Sequence, residues 1–201
     1  MSERTVYLID DDEAMRDSLS FLLSTEKLNV RTYESAVAFL KDMPKDRGCI
    51  VTDLRMPEMT GLQLVRKLKD VGVGLPVIVM TGHGDVPLAV EAMKAGVVDF
   101  LEKPFSDDVI LATIETAFAR MEQESEAEHE RATILERMAK LSGREKDVMA
   151  GLVAGHPNKV IADDHGISAR TVEIYRANVM AKMQARSLSE LVRMALVSGQ
   201  F

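Results

Sequence analysis

Polar residues recur where short apolar runs stop, and their types suit phosphoryl chemistry. TVYLI is followed by Asp10-Asp11-Asp12, CIVT by Asp53, PVIVM by Thr81, and VDFL, after Glu102, by Lys103-Pro104. Carboxylates gathered at one rim repel one another unless a cation or protons intervene. With no Cys/His set and no acidic Ca²⁺ loop pattern, an all-oxygen cluster suits Mg²⁺. A carboxylate beside such an ion can attack a phosphoryl group, while a hydroxyl (Thr81) and an ammonium (Lys103) share the phosphoryl oxygens. An Asp at a strand end is also a common turn former or N-cap, and Asp12 reads that way. Caps alone do not account for a doublet, a single Asp, a Thr and a Lys placed after successive strands. His83 and Glu102 lie near the same rim; a lone loop His reads as a solvated side chain, and Phe100 on its own reads as core.

A fold that brings these residues together must be an α/β sheet. The runs TVYLI, NVRTY, CIVT, PVIVM and VDFL alternate with stretches of helical period, the pattern of βαβ units on a parallel sheet covered on both faces. Ligands of such sheets sit outside the carboxyl ends of the strands, where the polar residues fall. Pro57 to Gly61 and Gly72-Val73-Gly74 bracket one helix, and Pro87 sits in the first turn of another. After Asp107 the helical period continues into EQESEAEHER, which has no Gly or Pro and reads as a solvated extension of the last helix. Ser125 and Glu128 interrupt any heptad seam, so a stable coiled coil is not expected.

The last third is a different kind of module. Ser142-Gly-Arg-Glu145 is a capping-box pattern opening a helix that Gly155 ends. Asn158 reads as the cap of a second, short helix stopped by Gly166, and Ser168 as the cap of a third running from Ala169 to about Gln184. That spacing is a helix-turn-helix. On the third helix Val172, Tyr175, Val179 and Met183 share an inward face, while Arg170, Glu173, Ile174, Ala177 and Ala181 lie outward beside the basic Arg176, Lys182 and Arg186. Small and apolar groups among basic neighbours suit major-groove reading flanked by phosphate contacts, against a plain helical bundle with a solvated face.

Charge divides along the same lines. The 201 residues carry a net charge of −7, but residues 1–121 hold 14 basic against 20 acidic, residues 122–140 hold 3 against 6, and residues 141–201 hold 8 against 6. Only the last part is suited to facing a polyanion. No apolar run reaches the roughly 18 residues of a membrane span, no signal-peptide order opens the chain, and the single cysteine, Cys49, forms no internal disulfide and reads as packing, all of which leads to the expectation of a cytoplasmic protein.

VYLIDDDEAMR, VTDLRMPEMTG, VIVMTGHGD and AMKAGVVDFLEKPF resemble the receiver domain of two-component response regulators over residues 4 to about 121. The resemblance implies a flavodoxin-like five-stranded parallel sheet of order 2-1-3-4-5. It also implies Asp53 as phosphoacceptor, Mg²⁺ held by Asp10, Asp11, Asp53 and the backbone carbonyl of Arg55, Thr81 and Phe100 as a switch pair, and Lys103 on the phosphoryl group. Asp10 and Asp11 are chosen from the triplet because Arg16 follows at the family's spacing. In receivers the residue two after the Thr influences dephosphorylation, a role that falls here on His83.

LSGREKDVMAGLVAGHPNKVIADDHGISARTVEIYRANVMAKM resembles the four-helix helix-turn-helix of the LuxR/NarL class over residues 141–198, and NKVIA, RTVE and RANVMAKM most resemble FixJ-type regulators. His165 and Tyr175 depart from that class. The resemblance implies DNA contacts from Lys159, Ser168, Arg170, Thr171, Glu173, Ile174, Arg176, Ala177, Asn178 and Lys182. The expected organisation is a receiver at 1–121, a charged helical linker at 122–140 and a DNA-binding domain at 141–201. The expected function is a phosphorylation-dependent transcription activator, no enzyme beyond its own phosphoryl transfer and dephosphorylation. It would be served by a sensor histidine kinase, dimerise on phosphorylation, bind promoter DNA and work with RNA polymerase, without a membrane, in nitrogen-fixation or microaerobic control. Two rivals are an Asp-nucleophile phosphohydrolase, which wants a second Asp where Arg55 stands, and a phosphorelay protein whose helical module binds protein or RNA.

Overall fold

The computed structural model describes residues 4–44, 46–82 and 86–201. The chain divides into two compact units, Met1–Gln123 and Glu124–Phe201. In the first, strands β1 (Thr5–Ile9), β2 (Asn29–Tyr33), β3 (Gly48–Asp53), β4 (Val77–Thr81) and β5 (Asp99–Glu102) form one parallel sheet of order β2-β1-β3-β4-β5. Helices α1 (Glu13–Thr25), α2 (Ala36–Lys41), α3 (Gly61–Asp70) and α4 (Val86–Ala95) connect the strands, and α5 (Asp107–Ala139) follows. The predicted fold class and strand order hold, with β3, β4 and β5 each reaching the polar residue that the apolar run alone leaves out.

The central strands β1, β3 and β4 are buried along their whole length, as strands covered on both faces must be. Period two sends alternate residues into two cores. Tyr7, Ile9, Ile50, Val77 and Val79 face Phe39, Leu64 and Leu68 on one side. Val6, Leu8, Cys49, Val51, Ile78 and Met80 face Leu19, Leu23, Ile114 and Phe118 on the other. Cys49 is fully buried, and burial pushes its thiol up to about 12, so it is an inert packing group as its lone occurrence implied.

Helix α5 starts against the sheet through Ile110, Ile114 and Phe118 and ends in the second unit, where Ile134 and Met138 join the core. Between these anchors the EQESEAEHER stretch is helical and mostly exposed. The second unit adds α6 (Gly143–Val153), α7 (Asn158–His165), α8 (Ala169–Met183) and α9 (Leu188–Ser198). Ser142 and Ser168 cap α6 and α8, the former with the reciprocal Glu145 bond of a capping box. Gly166, at φ 63°, closes α7. One cap is not where the sequence put it. Asn158 is the first helical residue of α7, and Pro157 occupies the cap position, its carbonyl accepting from Val160 N at 2.9 Å and Ile161 N at 3.2 Å with no side-chain bond. Proline holds the extended backbone needed there without a capping oxygen, which leaves the amide-bearing Asn158 one residue past the cap. Among the described residues no helix is long and apolar enough to cross a membrane.

Candidate functional site

Strand ends build the first site. Asp10 follows β1, Asp53 closes β3, Thr81 closes β4 and Lys103 follows β5, so parallel pairing in register carries all four to the carboxyl edge of the sheet. Backbone bonds across that edge hold the ends together: Lys103 N donates to Thr81 O at 2.7 Å and Leu54 N to Met80 O at 2.8 Å. Asp10 and Asp53 are 1% and 8% exposed. The ammonium of Lys103 lies between them, 2.9 Å from Asp10 Oδ2 and 2.6 Å from Asp53 Oδ1. The other oxygens accept backbone amides, Asp12 N on Asp10 Oδ1 at 2.9 Å and Arg55 N on Asp53 Oδ2 at 2.6 Å.

The electrostatics follow from that packing. Burial raises the Asp53 carboxyl above its ordinary value; Lys103 and the Arg55 amide pull it back without cancelling the rise. Burial works against the Lys103 ammonium, but the hydrogen bonds it donates to Asp53 and Asp10 outweigh it and leave it raised and charged. The result is a buried carboxylate of low solvation with a cation held 2.6 Å away, an arrangement that suits a group on which negative charge accumulates.

Of the residues expected to hold Mg²⁺, the structure brings Asp10 and Asp53 together and leaves Asp11 exposed at the start of the loop. Among the described residues no group of three or more His, Cys, Asp and Glu side chains is drawn close enough to hold a metal ion. Lys103 neutralises the two buried carboxylates. The donor set itself fits a hard divalent cation, since each bonded carboxylate oxygen keeps a further lone pair. Asp12 is the N-cap of α1, its Oδ1 accepting from Ala14 N at 2.9 Å and Met15 N at 3.3 Å, as the capping reading held. Arg16 donates to the Asp10 carbonyl at 2.7 Å and so pins the loop that carries the doublet.

Thr81 is buried and Phe100 is 39% exposed, so Phe100 is not the core residue its type suggested. In the β4–β5 register Thr81 pairs with Glu102, two positions along from Phe100, which puts Thr81 and Phe100 on one face of the sheet. His83 lies outside the described residues. Sequence reasoning missed Gly61. A Cβ there would stand 2.4 Å from the Asp53 carbonyl oxygen, so only glycine lets α3 start against the strand that presents Asp53. The turn signal around Pro57 and Gly61 marked the helix boundary but not the contact.

The second candidate surface is α8. Val172, Val179 and Met183 are fully buried and Tyr175 packs against them, which turns Arg170, Glu173, Ile174, Ala177, Asn178 and Ala181 outward. Ile174 is 57% exposed, a large apolar side chain left mostly in solvent. Lys159 on α7 is also exposed, and Arg176 is half-buried. Ser168 and Thr171 are tied to each other: Ser168 Oγ accepts from Thr171 N at 3.1 Å, and their hydroxyls lie 2.8 Å apart. Lys182 is engaged within the fold, its ammonium 2.6 Å from the buried Glu145. His165 Nδ1 stands 4.0 Å from Asp147 Oδ2, a partner of its own in place of the apolar packing its position would otherwise supply.

Comparison with known proteins bears on both units of the chain. The family model "Response regulator receiver domain" matches residues 6–115, and "Bacterial regulatory proteins, luxR family" matches residues 139–195. The transcriptional regulatory protein FixJ of Azorhizobium caulinodans is 56% identical over 195 residues, covering 96% of this chain and 92% of that one. FixJ of Rhizobium meliloti is 52% identical over 200 residues, covering 99% and 98%. The crystal structure of full-length FixJ from B. japonicum matches all of both chains at 51% identity and a TM-score of 0.63. The two matched segments follow one another in one chain with the order and extent of these relatives, and the chain belongs to the FixJ-type two-component response regulators, with a receiver domain and a LuxR-type DNA-binding domain.

Proposed function

We propose that Asp53 is the phosphoacceptor. A phosphohistidine of a sensor kinase is the donor: a carboxylate oxygen of Asp53 attacks phosphorus as the bond to the histidine nitrogen breaks, leaving an acyl phosphate on Asp53 and the imidazole on the kinase. Hydrolysis of that acyl phosphate by water returns the carboxylate and inorganic phosphate. Lys103 stays paired with the site throughout, exchanging Asp53 Oδ1 for a phosphoryl oxygen, and the Arg55 amide steadies the carboxylate for attack. Mg²⁺, held by Asp10, Asp11, Asp53 and the Arg55 carbonyl, would supply charge neutralisation on the phosphoryl oxygens. The single observation that carries this reading is the Lys103 ammonium shared by Asp53 and Asp10 at the carboxyl edge of the sheet.

Thr81 and Phe100 transmit the change: the buried Thr81 hydroxyl turns toward the new phosphoryl group, and the exposed Phe100 ring moves into the space this opens on the shared face. Shifting a two-state domain from 1:99 to 99:1 takes about 5.5 kcal/mol of differential stabilisation, a scale that charge-assisted bonds from a lysine, a hydroxyl and an ion can reach. The receiver then dimerises, and two copies of α8 read half-sites about one helical turn apart. Glu173, Ile174 and Ala177 meet base edges, Arg170, Arg176 and Lys159 meet phosphates, and the bound dimer recruits RNA polymerase to activate transcription. From its resemblance to FixJ-type regulators we assign it to nitrogen-fixation or microaerobic control. The test is labelling with acetyl phosphate or a phosphorylated kinase: the wild type accepts one phosphoryl group, and Asp53→Asn accepts none. Labelling that persists in Asp53→Asn moves the acceptor elsewhere.

A further inference from the structure

The end of α8 is held from two sides at consecutive residues. Lys182 Nζ lies 2.6 Å from Glu145 Oε2, and the same oxygen accepts the Ser142 amide at 2.7 Å. Glu145 is 3% exposed, so its charge has left water and needs both partners. One residue on, Met183 is fully buried and its carbonyl accepts from Arg137 Nη1 of α5 at 3.2 Å. Gln184, at φ 56°, then ends the helix. A phosphate drawing Lys182 away would leave the Glu145 carboxylate buried with the Ser142 amide alone, a cost that a solvent-facing phosphate contact does not return.

We infer that Lys182 is not a DNA contact, and that Glu145, Lys182 and Arg137 form a clamp that sets where the carboxyl end of the recognition helix lies. They are positioning residues: Glu145 acts from the first turn of α6 and Arg137 from the last turn of α5, and both act on DNA only through α8. The inference rests on α8 being the DNA-reading helix. Its consequence is a division of labour along one helix, with Arg170 at the amino end free to meet phosphate and Lys182 at the carboxyl end withheld from it.

The test uses the full-length protein, a duplex selected from a random pool by the wild type, and a scrambled duplex of the same composition, with anisotropy titrations at several salt concentrations. Lys182→Met is expected to leave the salt slope on scrambled DNA unchanged while the preference for the selected duplex falls by about tenfold or more. Glu145→Gln should show the same loss, the double variant no more than either single one, and Lys182→Arg, which keeps the ion pair, should retain the preference. Where Glu145→Gln fails to fold, the Lys182→Met and Lys182→Arg comparison decides. A fall in slope of about one unit in Lys182→Met, matching that of Arg170→Ala, would show a phosphate contact and overturn the clamp. If Arg170→Ala lowers the slope but Lys182→Met keeps full preference, the clamp alone fails; a wild type without preference for any duplex overturns the DNA-reading assignment and the clamp with it.

Discussion

Lys103 joins Asp53 to Asp10 through a single ammonium group, at 2.6 Å and 2.9 Å. Two carboxylates that are almost wholly buried share one cation, and the backbone bonds at the sheet edge leave it little room to move. The arrangement is expensive for the fold, because two carboxylates are held in surroundings where their charge is poorly solvated.

The first consequence concerns stability against pH. Burial raises the folded-state value of Asp53, so its ionisation opposes folding: its stabilising contribution is present below the ordinary carboxyl range and is lost as pH rises through the raised value. Asp53→Asn is therefore expected to melt a few degrees above the wild type at neutral pH, with the gap closing near about pH 4. Melting curves followed by circular dichroism at both pH values check this, and a variant less stable than the wild type at pH 7 would contradict it.

Asp11 and Asp12 are adjacent and separable. Asp12→Ala removes a cap bonded to two amides of α1 and should cost about 1 kcal/mol in urea unfolding with little change in Mg²⁺ affinity. Asp11→Ala should leave stability unchanged and weaken Mg²⁺ by at least about a hundredfold, the upper end of what loss of a merely supporting group costs. Equal effects on metal titration would place the wrong aspartate in the set.

Gly61→Ala forces a methyl group to within 2.4 Å of the Asp53 carbonyl oxygen, a backbone atom that cannot swing aside. Destabilisation of about 1 to 3 kcal/mol is expected, together with slower phosphorylation, because α3 and the end of β3 must part. Unchanged urea midpoint and labelling rate would show that the contact relaxes without cost.

Glu145 behaves oppositely to Asp53. The Lys182 hydrogen bond and then the Ser142 amide hold its carboxyl below the ordinary value, so its contribution is present above the ordinary glutamate value and lost as pH falls through the lowered one. Glu145→Gln should melt below the wild type at neutral pH, and acidification below about pH 4 should narrow the difference. A difference independent of pH would mean that the residue acts by packing alone.

Much of this is legible in the sequence. The alternation of TVYLI, CIVT and PVIVM with helical stretches defines the sheet, and the polar residue after each run defines its reactive edge, because both follow from local periodicity. What was not legible is pairwise and long-range. The spacing of Asp10 and Asp11 says which residues are acidic, whereas the capture of Asp10 and Asp53 by Lys103 depends on how far the Lys103 side chain reaches across the sheet edge from β5, beyond β4, to the ends of β3 and β1. Lys182 reads as one more surface cation, since nothing local announces that Glu145, 37 residues earlier, is buried beneath it. Pro157 shows the limit of cap rules: its backbone serves where the rule looks for a side-chain oxygen.

The most direct test of phosphorylation-controlled DNA binding is the dissociation constant for a selected operator duplex, measured with and without acetyl phosphate and Mg²⁺ in the wild type and in Asp53→Asn. The account predicts that phosphorylation tightens wild-type binding by about tenfold or more and leaves Asp53→Asn at the unphosphorylated value. Equal tightening in both proteins, or none in a wild type shown to be phosphorylated, would contradict it.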